Sequence, residues 1–285
     1  MVATLTRVKV CGLTSLRDAE LAVELGAWAL GMIFFEDSPR RCSLAEAQRI
    51  TSALRRKAEL CGVFVNAPLE RVTAAGEELG LSMLQLHGDE GPAFCAEVAR
   101  RTGARVIKAA QVSGPGDVRD LERFHVDFHL LDARARASER RALRGGTGET
   151  FDWTLVAGRR SKIPLILGGG LNPDNVADAI AFAAPYAVDT ASGTEVAPGR
   201  KDADKLSAFF TAVQTAYDHG DTDEEREMSP SGLDRNAKRP AHSHGDTKQE
   251  NDVPPESSAD VKATLPAATG ATGRPTGRQV ADTPA

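Results

Sequence analysis

Short apolar runs alternate with longer segments of mixed polarity between residues 7 and 217 of this chain. A strand that is apolar along its whole length is typical of a parallel sheet buried on both faces. The runs therefore predict eight strands, at residues 7–11, 29–34, 62–65, 83–86, 106–109, 128–131, 164–167 and 187–189.

The segments between these runs carry helical patterns. They predict helices at residues 15–25, 43–56, 68–79, 92–101, 173–183 and 202–217. Several of them begin with a serine or aspartate that can cap a helix, or with a proline near the first turn. Strands that alternate with helices indicate a parallel sheet whose outer face is covered.

Two architectures fit this alternation, a closed barrel and an open doubly wound sheet. Eight evenly spaced units, and the absence of an early GxGxxG segment, favour the barrel. We therefore predict an α/β protein with a single (β/α)8 TIM barrel, which occupies residues 1–219 as the catalytic domain.

The remaining residues differ in composition. Every aromatic residue lies at or before Tyr217, and residues 220–285 contain few large apolar side chains. Such a segment cannot bury enough apolar area to offset its conformational entropy, so we predict a disordered acidic and polar tail. His242 and His244 in this tail could bind a metal adventitiously, but solvated side chains are the simpler interpretation.

Charge and composition limit the partners. The chain has 285 residues and a net charge of −5, which gives no reason to expect nucleic acid. The first residues lack a signal-peptide layout, and no apolar run approaches the length of a membrane span. The four cysteines form no CxxC pair. We therefore predict a cytoplasmic protein with reduced thiols, a small-molecule substrate, no membrane and no obligate protein partner.

The barrel prediction indicates where function resides, because active sites of this fold lie at the C-terminal ends of the strands. Strand seven ends in the triplet Gly168-Gly169-Gly170, and strand eight is followed by Ala191-Ser192-Gly193. Glycines let backbone N–H groups approach an anion closely. Two such turns after the last two strands predict a site for a phosphorylated substrate.

Two other strand ends carry groups that can transfer protons. Cys11 ends strand one, and its thiol needs positive potential to ionise near neutrality because a free thiol has a pKa of about 8.5. Lys9 points to the same side of that strand. Asp132 ends strand six, across the mouth of the barrel, and could be a general acid or base. The alternative is that Cys11 is a small core residue and Asp132 caps a loop.

Eight segments in order resemble the phosphoribosylanthranilate isomerase family. They include Lys9-Val10-Cys11-Gly12, Leu86-His87-Gly88-Asp89 and Gly170-Leu171-Asn172-Pro173. All of them lie within residues 9–14, 31–40, 62–66, 84–90, 130–132, 145–153, 169–176 and 192–202. The resemblance covers about residues 7–215, and the order of eight segments makes it specific.

The resemblance implies an isomerase of tryptophan biosynthesis that needs no metal and no organic cofactor. Its reaction is the Amadori rearrangement of N-(5-phosphoribosyl)anthranilate to the 1-deoxyribulose isomer. It implies that Cys11 is the general base, Asp132 the general acid and Arg40 the group that binds the anthranilate carboxylate. It assigns phosphate binding to Gly169, Gly170, Ser192 and Gly193.

Other residues have less specific interpretations. His87 could be a second acid or a structural residue that lines the substrate, and we favour the second. The long loop after strand six, with its glycines at 145–148, is typical of a lid over the ribose. Gly168 and Glu149 depart from the family pattern, and Glu149 puts a reversed charge at the rim.

Three rival functions remain open. Indole-3-glycerol-phosphate synthase chemistry needs a catalytic lysine and glutamate, but Lys108 lies inside strand five without an identified glutamate partner. A non-catalytic binding protein would not need both Cys11 and Asp132. The same reaction on a different anthranilate is compatible with all of these residues.

Overall fold

A closed barrel of eight parallel strands forms the centre of the protein. The computed structural model describes residues 6–112, 114–132, 156 and 159–218. Each strand pairs with the next along the chain, and β1 pairs with β8, so the barrel prediction is confirmed. The strands are β1 (Arg7–Val10), β2 (Ala29–Ile33), β3 (Glu59–Phe64), β4 (Met83–Leu86), β5 (Arg105–Gln111), β6 (Phe128–Asp132), β7 (Leu165–Gly168) and β8 (Ala187–Thr190).

Helices cover the outside of this barrel, and their starts follow from local sequence. Ser15 and Ser43 accept backbone N–H bonds from Asp18 and Glu46 and so cap the first two helices. Pro92 occupies the first turn of the fourth, where its missing N–H is not needed. Within the described residues the helices are α1 (Leu16–Glu24), α2 (Leu44–Leu54), α3 (Leu69–Leu79), α4 (Pro92–Thr102), α5 (Pro115–Leu121), α6 (Val176–Ala183) and α7 (Ala203–Asp218).

Two parts of this arrangement differ from the prediction. The helix expected from residue 173 begins only at Val176, because asparagine side chains hold the preceding turn: Asn175 accepts from the Asn172 N–H, and Asn172 accepts from the Asp174 N–H. Helix α5 and a small hairpin of β9 (Glu195–Ala197) and β10 (Arg200–Lys201) were not predicted. Both are short and carry little periodic apolar signal.

Side chains of the strands alternate between an inner and an outer layer. Val8 and Val10 of β1 pack outward against the helices, whereas Lys9 and Cys11, the residue after β1, face the barrel interior. The N-terminal end of the interior is closed by Trp28, Phe128 and Tyr186, whose ring centroids lie 5.3–5.6 Å apart. An apolar plug at this end leaves the C-terminal end of the interior for polar groups.

Three predictions fall on residues outside the described part of the chain: the tail at 220–285, the lid with its glycines at 145–148, and Glu149. Among the described residues, no helix combines the length and apolarity needed to cross a membrane.

Candidate active site

A cavity of about 440 Å³ opens at the C-terminal ends of the barrel strands. It brings together seven of the eight site residues predicted from the sequence: Cys11, Arg40, His87, Asp132, Gly169, Gly170 and Ser192. These residues come from five different strand ends and one further loop, so only closure of the barrel makes them neighbours. The eighth, Gly193, lies beside the cavity without lining it.

Cys11 follows β1 directly and is almost fully buried. Burial raises the pKa of its thiol, and the ammonium groups of Lys9 and Lys201 oppose that rise. Gly31 on the neighbouring strand leaves room for the sulfur, since a Cβ at that position would lie 2.8 Å from Cys11 Sγ. The thiol is therefore held at the floor of the cavity beside a positive charge.

That positive charge is itself held by an ion pair. Lys9 is completely buried, and its Nζ lies 2.8 Å from Asp189 Oδ1. The pair is a direct consequence of barrel closure, because Lys9 and Asp189 are register partners in the β1–β8 ladder. Burial alone would lower the pKa of Lys9, but the Asp189 carboxylate beside it helps to raise that pKa above its usual value. Lys9 thus remains an ammonium group next to Cys11.

Asp132 is the last residue of β6 and lies three strands from β1 across the mouth. His87 Nε2 is 3.3 Å from Asp132 Oδ2, and Gln85 Nε2 is 3.0 Å from His87 Nδ1. An amide nitrogen can only donate, so Gln85 donates to Nδ1 and His87 keeps its proton on Nε2, directed at Asp132. The predicted substrate-lining histidine therefore also orients the predicted acid.

Arg40 lines the cavity from the loop after β2. Its Nε lies 2.9 Å from both carboxylate oxygens of Glu195, and its Nη2 lies 2.8 Å from Oε2. A Cβ at Gly12 would lie only 2.9 Å from Arg40 Cδ, so this glycine leaves space for the arginine stem. The contacts with Glu195 therefore hold the Arg40 guanidinium in one orientation at the cavity.

The glycine turns follow β7 and β8 at the same end of the barrel. Gly169 and Gly170 adopt φ angles of 86° and 76°, in the left-handed region that favours glycine. A Cβ at Gly193 would overlap the carbonyl oxygen of Leu171, which also accepts a hydrogen bond from Thr190 Oγ1 at 3.1 Å. The two turns therefore pack against each other and expose backbone at one side of the cavity.

The side chains of Gln85, Asp189 and Glu195 contact His87, Lys9 and Arg40, but they were not among the predicted site residues. Side chains alternate between the two faces of a strand, so their positions on β4 and β8 could have indicated that Gln85 and Asp189 face the barrel interior. Glu195 gave no such signal, since it belongs to the unpredicted hairpin.

Lys108 was expected to lie inside strand five without a glutamate partner. Lys108 does have a glutamate partner: its Nζ lies 2.9 Å from Glu90 Oε2, and both side chains are buried. The pair lies outside the barrel interior, because Lys108 alternates with the inward-facing Ile107 and Ala109 and lies against the ring of Phe124. The sequence did not reveal it because Glu90 lies 18 residues away, in the loop after β4.

A second cavity, of about 570 Å³, lies beside the first over β4, β5 and α5. Of the predicted site residues it contains only His87, and its acidic lining includes Asp89 and Asp120. The acid, the thiol and the glycine turns all belong to the smaller cavity, which is therefore the candidate active site.

Comparison with known proteins identifies one family over the residues that form the barrel. The family model of N-(5'-phosphoribosyl)anthranilate (PRA) isomerase matches residues 8–212. The N-(5'-phosphoribosyl)anthranilate isomerase of Geobacter sp. (strain M21) is 46% identical over 210 residues, which are 74% of this chain and 98% of that protein. A crystal structure of phosphoribosyl anthranilate isomerase from Thermotoga maritima is 39% identical with a TM-score of 0.64, and the match covers 74% of this chain and 99% of that one.

A further solved structure adds a ligand. It is a phosphoribosyl anthranilate isomerase in complex with reduced 1-(o-carboxyphenylamino)-1-deoxyribulose 5-phosphate. It is 37% identical with a TM-score of 0.62, and the match covers 74% of this chain and 99% of that chain.

Proposed function

This chain belongs to the N-(5'-phosphoribosyl)anthranilate isomerase family, and on that premise we propose how its barrel mouth carries out the family's reaction. The protein is an isomerase that converts N-(5-phosphoribosyl)anthranilate to 1-(2-carboxyphenylamino)-1-deoxyribulose 5-phosphate in tryptophan biosynthesis. The observation that carries the residue assignment is the single cavity that contains both Cys11 and Asp132, on opposite walls of the barrel.

The reaction needs two proton transfers at different atoms. Asp132 donates a proton to the furanose ring oxygen, and the ring opens to a Schiff base. Cys11 then removes the proton from C2′, which gives an enolamine that tautomerises to the ketone. Neither step changes the oxidation state of the molecule as a whole, so a positioned acid and a positioned base are sufficient.

Cys11 can act as a base only as the thiolate. Burial alone would keep the thiol protonated, since a desolvated anion is costly. The Lys9 ammonium group, kept charged by Asp189, supplies positive potential that opposes the rise in the Cys11 pKa that burial causes. Lys9 therefore lowers the cost of forming the Cys11 thiolate that the base role requires.

Two anion sites hold the substrate between the acid and the base. The turns at Gly169, Gly170 and Ser192 bind the phosphate, and Gly193 shapes the second turn through its contact with Leu171. Arg40 binds the anthranilate carboxylate through the planar fork of its guanidinium. Binding energy at both ends then aligns the reacting carbons.

The remaining assignments concern the whole chain. We propose that residues 1–219 are the catalytic domain and that residues 220–285 contribute nothing to turnover, so a chain that ends at 219 should keep full activity. All four cysteines are free and buried, which supports a reducing compartment such as the cytoplasm. The substrate is a small phosphorylated molecule, and no nucleic acid, membrane or obligate protein partner is proposed.

The residue assignment is tested by two variants, Cys11→Ala and Asp132→Asn. Consumption of phosphoribosylanthranilate is followed as loss of anthranilate-type fluorescence. Each variant should lose about 10²-fold or more in kcat, since each lacks one proton-transfer group. Both should still bind the reduced product analogue, because the anion sites are untouched. Full turnover in both variants would refute the acid and base roles.

The strongest rival, synthase chemistry with a catalytic lysine and glutamate, is not favoured by the interior charges. The buried lysine of the interior, Lys9, pairs with Asp189, whereas the Lys108–Glu90 pair lies outside the barrel wall. A substrate at the mouth would therefore meet a thiol and an aspartate.

A further inference from the structure

Glu195 is the first residue of the hairpin strand β9, and its side chain is only 4% exposed. Its two carboxylate oxygens share Arg40 Nε and otherwise have different partners. Oε2 accepts from Arg40 Nη2, and Oε1 accepts from the Gly199 N–H at 3.3 Å and lies 3.5 Å from Lys201 Nζ. Arg40 Nε lies 2.9 Å from both oxygens. One carboxylate thus lies between two cations.

The Arg40 contact uses one edge of the guanidinium. A guanidinium has five N–H donors in a rigid plane, and a carboxylate that engages Nε and Nη2 leaves the Nη1 edge available for a second carboxylate. Arg40 lines the active-site cavity and has a half-buried side chain. Glu195 therefore fixes the plane in which Arg40 can receive an anion.

The Lys201 contact leads to the other end of the site. Lys201 is completely buried, pairs with Glu195 in the β9–β10 ladder, and donates from Nζ to the carbonyl oxygen of Ala191 at 2.8 Å. Ala191 directly precedes Ser192 and Gly193, the turn after β8. Burial lowers the pKa of Lys201, and the Glu195 carboxylate opposes that effect, so the charge on this lysine depends on Glu195.

We propose that Glu195 is a positioning residue that couples the two anion sites, by orienting Arg40 toward the substrate carboxylate and by holding Lys201 against the phosphate turn. This inference rests on the proposed function of Arg40 and of the turn. Arg40, Glu195 and Lys201 together carry one net positive charge, which suits a neighbourhood that must accept two anionic groups.

The test measures the affinities of three ligands for the full-length wild type and for the full-length Glu195→Gln variant. The ligands are reduced 1-(o-carboxyphenylamino)-1-deoxyribulose 5-phosphate, its counterpart without the carboxyl group, and inorganic phosphate. The wild type should prefer the carboxylated ligand. In the variant this preference should fall at least about tenfold, because Arg40 is no longer oriented, and inorganic phosphate should bind several-fold more weakly.

Glu59→Gln is the matched control. Glu59 begins β3 and pairs with Arg105 at the start of β5, so the same change breaks a Glu–Arg pair at the opposite end of the barrel. It should leave all three affinities unchanged. If Glu195 had only a structural role, Glu195→Gln would weaken the binding of all three ligands by the same factor and leave the carboxylate preference intact. That outcome would overturn the proposal.

Unchanged phosphate affinity in Glu195→Gln would equally overturn the coupling to the turn. If that variant does not fold because Lys201 is left as an unpaired buried cation, Glu195→Gln with Lys201→Met removes the cation. Loss of the carboxylate preference in the double variant supports the proposal, and a wild-type preference contradicts it. Absence of turnover in the wild type would refute the proposed function, whereas the binding ratios would still decide whether Glu195 orients Arg40.

Discussion

Lys9 and Asp189 form an ion pair inside the barrel, at the seam where the first strand meets the last. Their Nζ and Oδ1 atoms are 2.8 Å apart, and Lys9 is completely buried. A buried pair of this kind contributes little net stability, because desolvation offsets most of the attraction. Its consequence lies in the potential at Cys11, the neighbour of Lys9 on the same face of β1.

Replacement of Lys9 by Met should move the activity profile to higher pH. Lys9 lowers the pKa of the Cys11 thiol, so its removal raises that pKa and reduces the thiolate fraction at neutral pH. Below the pKa, each unit of increase lowers the thiolate fraction about tenfold. The pH dependence of kcat/KM and the pH dependence of Cys11 alkylation should shift together.

Lys9→Met with Asp189→Asn is the control, since the single variant leaves a carboxylate unpaired inside the barrel. The double variant should regain stability against urea but keep the shift to higher pH, because the effect of Lys9 on Cys11 exceeds that of Asp189. A double variant with the pH profile of the wild type would mean that Lys9 does not set the ionisation of Cys11.

His87 should carry its proton on Nε2 in the resting enzyme. Gln85 donates to Nδ1, which leaves Nε2–H directed at Asp132. Nitrogen chemical shifts of the His87 ring distinguish the two tautomers directly. Gln85→Leu removes the donor, so both tautomers should become populated and kcat should fall, by roughly tenfold for a misaligned acid.

The opposite tautomer in the wild type would mean that the Gln85 amide is turned, with Oε1 as the acceptor from Nδ1–H. Gln85 Oε1 is buried and has no hydrogen-bond partner within the described residues. In the turned orientation of the amide, Oε1 would instead be the atom bonded to His87. His125, far from the acid in the loop before β6, provides a reference signal that should not respond to Gln85→Leu.

Replacement by alanine should change stability in opposite directions at Gly168 and Gly170, which lie at the end of β7 and in the turn after it. A Cβ at Gly168 would lie 3.5 Å from Asp189 Cβ, an ordinary contact, so Gly168→Ala should keep activity and stabilise by about 0.4–1 kcal/mol through the unfolded chain. A Cβ at Gly170 would meet nothing within 4 Å, but φ is 76° there. Gly170→Ala should therefore cost about 1–2 kcal/mol from backbone strain alone and raise KM.

Thermal melts and KM measurements of both variants check this pair. Equal effects of the two substitutions would contradict the role of backbone conformation. If alanine is tolerated at position 168, the backbone there does not require glycine. The departure of Gly168 from the family pattern would then have no conformational cause.

Cys61 should make the fold sensitive to alkaline pH. Burial raises the pKa of this thiol to about 12, whereas in the unfolded chain it is about 8.5. A raised folded-state pKa gives stability that is complete below pH 8.5 and is lost as the pH rises toward 12. The stability difference between wild type and Cys61→Ala should therefore shrink by about 1 kcal/mol between pH 7.5 and 9.5.

Urea unfolding at a series of pH values measures this difference, with Cys11 unchanged in both proteins. A difference that is independent of pH would mean that the Cys61 thiol ionises equally easily in the folded and unfolded chains. Slow alkylation of Cys61 in the folded protein at pH 8 is the companion expectation, because only the thiolate reacts.

The apolar pattern predicts the eight strands, and their number, their even spacing and the absence of an early GxGxxG segment favour the closed barrel that the structure shows. Strand position in such a barrel then placed Cys11, Asp132 and the glycine turns at one mouth, since all parallel strands end at the same face. These inferences succeeded because they depend on local periodicity and on chain order, and both are written in the sequence.

The partners of the charged groups were decided only by the tertiary structure. Lys9 and Asp189 are 180 residues apart, and Arg40 and Glu195 are 155 apart, so no spacing indicates either pair. Glu90 was missed as the partner of Lys108 for the same reason. A closed barrel joins its first and last strands and brings the loops after them together. The charges that favour the Cys11 thiolate and orient Arg40 therefore come together only when the ring closes.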